Sequence, residues 1–506
     1  MLLSAATLVG CGGGGGGGTV TPVSRQAEKQ GVVTAVRGSF AVSGTPIQTT
    51  PTTAVWVDGG SAAGMRALKP GMVVHVKGSV DNQGTMTAAE ISFVGDLEGA
   101  VEFIDLRGGT LTVLGQTVML DDLTVFEDVT AADLTVGNIV EVSGFRQADG
   151  TLLARFVEFE AAQFEALATR RIAIKGPIRD LDPMTKTFTI GGQTVDYNAA
   201  TLAPGLTLAN DLVVEVHGTR PVAAGSVLVA SRVEAEDETL VGHEGTDAEL
   251  EGIITRFASA TNFDVNGQPV ATMAQTQFRN GAASDLALDV CLDVAGALDA
   301  QGVLVADRIC LRLARNVKID ADVAAVDPVV GTVQLLGSAP GITVTVNAST
   351  LLLDRKNGLS PFTLDDLAVG DRVSVRASVG SGVVTAAKLE RRPVPSDPTS
   401  VRLQGPITPG SAAAPTLDIL GITVDATGAS LFRGGHEGSW TSTEFFAALA
   451  SGSDLVTVKG ALDPSGVLLA QELSLQLEHE FDHEMERGSA YRYNYEQEMG
   501  HEGGHH

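Results

Sequence analysis

The stretch Leu134-Thr135-Val136-Gly137-Asn138-Ile139-Val140-Glu141-Val142-Ser143-Gly144 decides how this chain reads. A Leu-x-x-Gly turn feeds a strand that alternates apolar and polar residues and ends on glycine. A period of two puts Val140 and Val142 on one face and Glu141 on the other. The V-x-V-x-G ending then recurs. Val74-Val76-Gly78, Val214-Val216-Gly218 and Val456-Val458-Gly460 repeat it in full. Leu292-Val294-Gly296 carries leucine first, and Val373-Val375 is followed by Ala377 in the place of glycine. Six occurrences, spaced by roughly 65 to 85 residues, describe an array of similar small domains.

Working outward, each unit opens on a strand: Gly31-Val32-Val33, Gly99-Ala100-Val101, Gly176-Pro177-Ile178, Gly252-Ile253-Ile254, Lys318-Ile319-Asp320 and Gly405-Pro406-Ile407. A hairpin follows in most units. Thr187 to Ile190, Gly191-Gly192 and Gln193 to Val195 show it well, and Asn262 to Val265, Asn266-Gly267 and Gln268 to Val270 repeat it. Alternating apolar residues around a glycine turn are a strong hairpin signal. A variable insert comes next, then the V-x-V-x-G strand, an Asp/Gly turn such as Asp299-Ala300-Gln301-Gly302, and a last strand.

The units are expected at 31–94, 98–160, 172–236, 249–314, 316–392 and 401–476. The fold class is all-β: a tandem array of six small five-stranded barrels close to the OB-fold, each with an insert between its third and fourth strands. A small open sandwich is the alternative. Asp237 to Glu249 and Arg391 to Ser400 read as linkers.

Composition bounds the function. Sixty-one acidic residues against 34 basic ones give a formal charge of −27, which repels phosphate backbones and anionic membranes. Nucleic acid is therefore not an expected partner. Aromatic residues are scarce and do not repeat on the strands that would stack bases.

The amino end reads as a lipoprotein signal over 1–11. The apolar run ends Leu8-Val9-Gly10-Cys11, and Gly12 to Gly18 open a glycine-rich tether over 12–30. Cys11 is the candidate lipidation site, which would hold the chain to a membrane in the cell envelope. No Lys or Arg precedes Cys11, unlike most export signals. Gly12 after the cysteine resembles the Gram-negative pattern for the outer membrane.

Residues 31 to 476 resemble a family of bacterial repeat lipoproteins whose domain is known only as one of unknown function. The resemblance rests on the G-x-V-x-x-V opening, the hairpin and the L-x-x-G-x-x-V-x-V-x-G stretch. These are structural positions, so it implies a fold and a location and almost no chemistry.

Few residues suggest a site. Counting outward from the Asp299–Gly302 turn, residues summing to 601 face each other, which pairs Cys291 with Cys310 on the outer face of one hairpin. A disulfide is expected there, as an exported chain meets an oxidising compartment. Asp289 and Asp293 are expected to make surface ion pairs with Arg308 and Arg312. His75 and His217 read as solvated residues on outer strand faces. Trp56 and Trp440 lie in the inserts, as groove-lining or barrel-plugging aromatics.

The tail, 477–506, is polar and holds five of the nine histidines: His479, His483, His501, His505 and His506. They form a candidate Zn²⁺ or Cu²⁺ site. His479-Glu480-Phe481-Asp482-His483 matches H-E-x-x-H, but charges surround it and no helical domain is there to receive it, so peptidase chemistry is not expected. No other cofactor is expected. The chain reads as a non-catalytic envelope lipoprotein, presenting its β-domains to an envelope protein or glycan.

Overall fold

A computed structural model describes residues 24–36, 39–57, 63–106, 108–162, 172–219, 226–236, 239–312, 316–337, 341–434, 439–449 and 455–476. Unit 2 shows the plan. Its strands are Leu97–Asp105, Thr110–Val113, Gln116–Met119, Ile139–Arg146 and Leu152–Ala161. The first pairs with the second and the fourth, the second with the third, and the fifth with the third and the fourth. The ring therefore closes, and no edge of these five strands is left open. Only the contact between third and fifth is parallel. Units 1, 4 and 5 close in the same way.

Units 3 and 6 depart from this at their Gly-Pro-Ile openings. Their first strands stop at Pro177 and Pro406, because proline has no N–H to donate to a ladder. In unit 3 the ladder resumes at Arg179–Asp182; in unit 6 a bridge between Ile407 and Ile419 closes the ring.

The glycine of V-x-V-x-G has a specific task. At Gly78, Gly144, Gly218, Gly296 and Gly460 the pairing with the last strand slips by one residue. There the facing backbone comes so close that a Cβ would lie 2.0 to 2.3 Å from a carbonyl oxygen. The motif marks a β-bulge that bends the strand around the barrel. Ala377 stands at the same slip in unit 5.

The inserts plug the barrels. A short 3₁₀ turn in units 1, 2, 4 and 5 leads to a buried leucine: Leu68, Leu134, Leu286 and Leu367. Unit 6 uses an α-helix, Ser442–Ala448. Thr441 caps it: its hydroxyl accepts from the Glu444 amide, and its own amide donates to Glu444. The helix buries Phe445 against Phe432 and Trp440, so Trp440 serves as plug packing. Trp56 lies on the strand Ala54–Val57 and stays partly exposed.

The barrels join through their first strands. Lys318 to Asp320 of unit 5 run antiparallel to Arg402 to Gln404 of unit 6, and Leu97 and Glu98 of unit 2 pair with Ala173 and Ile174 of unit 3. Units 1 and 4, distant in sequence, pair in parallel through Ala27 to Gln30 and Asp247 to Leu250. Residues 25 to 30, read as tether, are thus part of the strand Arg25–Val36, because the strand Val73–Val80 of unit 1 and, from Ala27, unit 4 both supply ladder partners. The linker before unit 4 likewise gives up Asp247 to Glu249 to the strand Asp247–Ser259. Arg391 and Arg392, read as linker, end the strand Val383–Arg392.

A core shared by four units binds the assembly. Val33, Val74 and Phe93 of unit 1 meet Phe145 and Phe156 of unit 2, Ile253 of unit 4, and Leu351 and Leu353 of unit 5. Phe93 and Phe156 make an edge-to-face contact with centroids 6.4 Å apart. None of the described residues of units 3 and 6 joins this cluster, and these units sit outboard on units 2 and 5. No described helix is long and apolar enough to cross a membrane.

Candidate functional site

In every unit the spacer of V-x-V points out of its own barrel and pairs with a polar residue of the first strand. The pairs are Gln30 with His75, Glu98 with Glu141, Lys175 with Glu215, Glu251 with Asp293, Asp320 with Ser374, and Gln404 with Thr457. Read one barrel at a time, these are solvent positions. Yet Glu141, Lys175, Glu215, Glu251, Ser374, Gln404 and Thr457 are all buried. Ions removed from water are held only where paired and hydrogen-bonded. These outer faces, now interior, carry the titratable groups with the most unusual surroundings.

The densest group lies where units 1, 2 and 4 meet. Glu251 Oε2 accepts from the Val32 amide at 3.1 Å and from the Ser43 hydroxyl at 2.5 Å, both in unit 1. Gly31 leaves room for this, since a Cβ there would sit 1.9 Å from Ser43 Oγ. Arg312 Nη2 lies 2.7 Å from Glu251 and 3.1 Å from Asp293. Beside them Glu249 takes Lys29 of unit 1, Thr45 at 2.9 Å and Arg308 at 3.0 Å. Arg155 of unit 2 is buried close by, 3.0 Å from Asp121 and over the Phe145 ring.

The environment splits the carboxylates. Burial lifts Asp293 to about 7 despite Arg312. Burial would raise Glu251 too, but Arg312, Ser43 and the Val32 amide outweigh it and hold that carboxyl below its ordinary range. Burial also pushes the Cys291 thiol up, against Arg155 and Arg312. A thiol kept neutral is a poor nucleophile and a poor metal ligand.

The expected Cys291–Cys310 disulfide is absent: Cys291 carries a free thiol. The register explains why. The turn is one residue longer than its Asp-x-x-Gly core, with Asp299 N bonded to Val303 O, so Leu298 faces Leu304. The bulge at Gly296 adds a second slip. Cys310 therefore faces Asp293, and the Cys291 carbonyl accepts from the Arg312 amide at 3.1 Å. The expected surface ion pairs change likewise. Arg312 with Asp293 belongs to the junction, Arg308 turns to Glu249, and Asp289 accepts from the Ala148 amide of unit 2 at 3.0 Å.

A second junction joins units 2 and 5. The buried Asp122 carboxylate lies 3.0 Å from Lys318 and 3.1 Å from Arg376, while Lys388 donates to the Thr124 carbonyl at 3.2 Å. Burial lowers the Lys388 pKa. Burial would raise Glu390, but Lys388 and Arg392 outweigh it and hold it at about 2. A relay of ion pairs runs from Lys69 of unit 1 through Glu127 at 3.5 Å, across Arg355 of unit 5 at 3.5 Å, to Glu390 at 3.9 Å.

Among the described residues, Glu141, Glu158 and Glu160 bring carboxylate oxygens within 4.8 Å of one another, as a cation site would. The Lys69 ammonium, 2.8 Å from Glu158, supplies positive charge there. His75 and His217 are not solvated: they are half-buried beside Glu28 at 3.0 Å and Glu215 at 3.2 Å. Bonding to Glu215 raises the His217 pKa above its ordinary value. Cys11, His479, His483, His501, His505 and His506 lie outside the described residues, as does His436.

Comparison with known proteins agrees with this architecture. No curated protein matches the chain. Among solved structures, a chain described as drosophila Unr CSD456 aligns at 10% identity over 60% of this chain and 98% of its own length, with a TM-score of 0.11. A score that low carries no argument. One family of domains, described as a domain of unknown function (DUF5666), matches residues 30–92, 98–158, 175–234, 251–310, 322–390 and 404–474. The chain is therefore a member of that family, built from six tandem copies of its domain.

Proposed function

We propose that this chain is a non-catalytic scaffold of the cell envelope, anchored at the outer membrane by a lipid on Cys11, that presents binding loops on a stiff β-frame. One observation carries the reading. Four barrels share a core, and ion pairs between barrels, Lys29 with Glu249 and Asp122 with Arg376 and Lys318, pin their faces together, so strands are committed to packing and variation falls on outward turns. Several turns carry unpartnered apolar residues: Met184 is 92% exposed and Val329 86%, with Val136, Leu288 and Val369 also exposed. Loops on a rigid frame are where recognition usually resides. An envelope protein or glycan suits these apolar tips, while a formal charge of −27 disfavours nucleic acid.

The test has two arms. Cys11→Ser should move the protein from the membrane fraction to the soluble one. Immobilised intact chain should retain a defined envelope glycan or purified secreted protein, and the triple change Met184→Ser, Val329→Ser, Val330→Ser should release it. A soluble wild type, or an intact chain that retains nothing, would sink the reading. A second reading, divalent-metal capture, rests on the five histidines after residue 476. Calorimetric titration of Zn²⁺ into chains with and without 477–506 separates the two, since equal heats would remove the metal reading.

A further inference from the structure

Glu251 and Asp293 share one nitrogen. Both carboxylates approach Arg312 Nη2, at 2.7 and 3.1 Å, while the buried Arg312 Nε has no partner among the described residues. They stand opposite each other on adjacent strands of unit 4. Only Glu251 reaches across to unit 1, through Val32 and Ser43. The charges facing this pair come from every element around it. Unit 4 itself supplies Glu249, Arg308 and the neutral Cys291; unit 1 supplies Lys29; unit 2 supplies Arg155 with Asp121. With every group ionised, the carboxylates Glu249, Glu251, Asp293 and Asp121 match Lys29, Arg308, Arg312 and Arg155. Neutrality of the junction thus turns on a single proton.

We propose that Glu251, Arg312 and Asp293 form a proton-operated latch between units 1 and 4. With a proton on Asp293, taken from solvent, Arg312 is committed to Glu251, which holds Val32 and Ser43. When that proton leaves for solvent, Asp293 draws on the same guanidinium nitrogen and the hold on unit 1 slackens. The direction follows from linkage. A buried carboxyl raised to about 7, above its unfolded value, favours the closed junction in mildly acid solution. That contribution is lost as pH rises from about 4 through 7. Glu251, held low, stays ionised throughout this window. An envelope protein faces external pH directly, so such a latch would couple the stiffness of the frame to its surroundings.

Hydrogen exchange on the full chain tests this at peptides spanning residues 32–43, after correction for intrinsic pH dependence. Between pH 5.5 and pH 8.5, protection there should fall by at least about tenfold, the equivalent of one pKa unit. Asp293→Asn, which mimics the protonated form, should abolish the fall. Ser43→Ala, which cuts the reach of Glu251 without touching the titrating pair, should lower protection at pH 5.5 and flatten its pH dependence. Equal pH dependence in wild type and Asp293→Asn, or none in wild type, would overturn the proposal. Should Asp293→Asn fail to fold, the wild type and Ser43→Ala still decide: identical pH profiles in those two would overturn it as well.

Discussion

The carboxylate of Asp122 in unit 2 sits 3.1 Å from the guanidinium of Arg376 in unit 5, 254 residues further along the chain. Lys318 approaches the same carboxylate at 3.0 Å, and Lys388 lies buried beside them. This acid thus ties bases of unit 5 to unit 2 at an interface between barrels that are not neighbours in sequence. Asp122→Ala should cost about 3–5 kcal/mol, because it takes from the buried Arg376 its nearest carboxylate and from Lys318 its ion-pair partner. Urea denaturation gives the magnitude. Proteolysis should open the chain between units 2 and 5 before either barrel melts.

Within unit 5, Asp354 binds Arg391 in a fork, with Oδ2 2.6 Å from Nη2 and Oδ1 2.8 Å from Nε, and Phe362 lies under the guanidinium. Asp354 also accepts backbone amides of Lys356, Asn357 and Leu359. Asp354→Ala should destabilise by about 3–5 kcal/mol, and Asp354→Asn by less, since the amide keeps an acceptor for the loop. Equal losses from both changes would show that charge, not the loop contacts, dominates.

The bulge glycines predict an asymmetry. At Gly144 a Cβ would come 2.2 Å from the Leu153 carbonyl oxygen, so Gly144→Ala must shift backbone and should cost about 1–3 kcal/mol. Ala377 already occupies this place in unit 5, so Ala377→Gly should change stability by less than about 1 kcal/mol. Thermal unfolding of the two variants side by side checks the difference.

Cys291 should behave as a sheltered thiol. Burial raises its pKa and no partner sulfur holds it. A thiol reagent should modify it at least about tenfold more slowly in the native protein than in urea. Non-reducing peptide mapping should return the Cys291 peptide alone. Recovery of a Cys291–Cys310 peptide pair would show that the strands slip to the simpler register.

Global stability should peak in mildly acid solution. Glu249, Asp320 and Glu390 are held low because their basic partners outweigh burial, so their contributions are present above the ordinary carboxylate range and vanish as pH falls toward 2. Asp293 acts oppositely, losing its contribution as pH rises from about 4 through 7. The melting temperature should therefore fall on both sides of about pH 5, and in Asp293→Asn the fall on the alkaline side should shrink. A wild-type profile flat from pH 5 to 8 would contradict this.

Much of the barrel was legible because its cues are local. Val140, Glu141 and Val142 announce a strand by alternation alone, and Asn266-Gly267 announces its turn. The Gly-Pro-Ile openings even mark the two units whose first strands break, although nothing in them tells that these units sit outboard. The pairing of Cys291 is not legible in the sequence, because the longer turn and the bulge each cost one residue of register and leave no separate trace in the alternation. The Gly296 that ends the motif was itself the signal, and its meaning came only from the close approach of the Val305 carbonyl.

By itself, the sequence determined the repeat, the strands and the turns, because each depends on the side-chain period and backbone freedom of a few consecutive residues. Only the tertiary structure decided that Glu251, Asp122 and Lys388 are interior, that unit 1 pairs with unit 4, and that four barrels share one core. An outward strand face looks the same to its own barrel whether water or another barrel covers it. The difference lies in contacts between residues hundreds of positions apart, which no local pattern encodes.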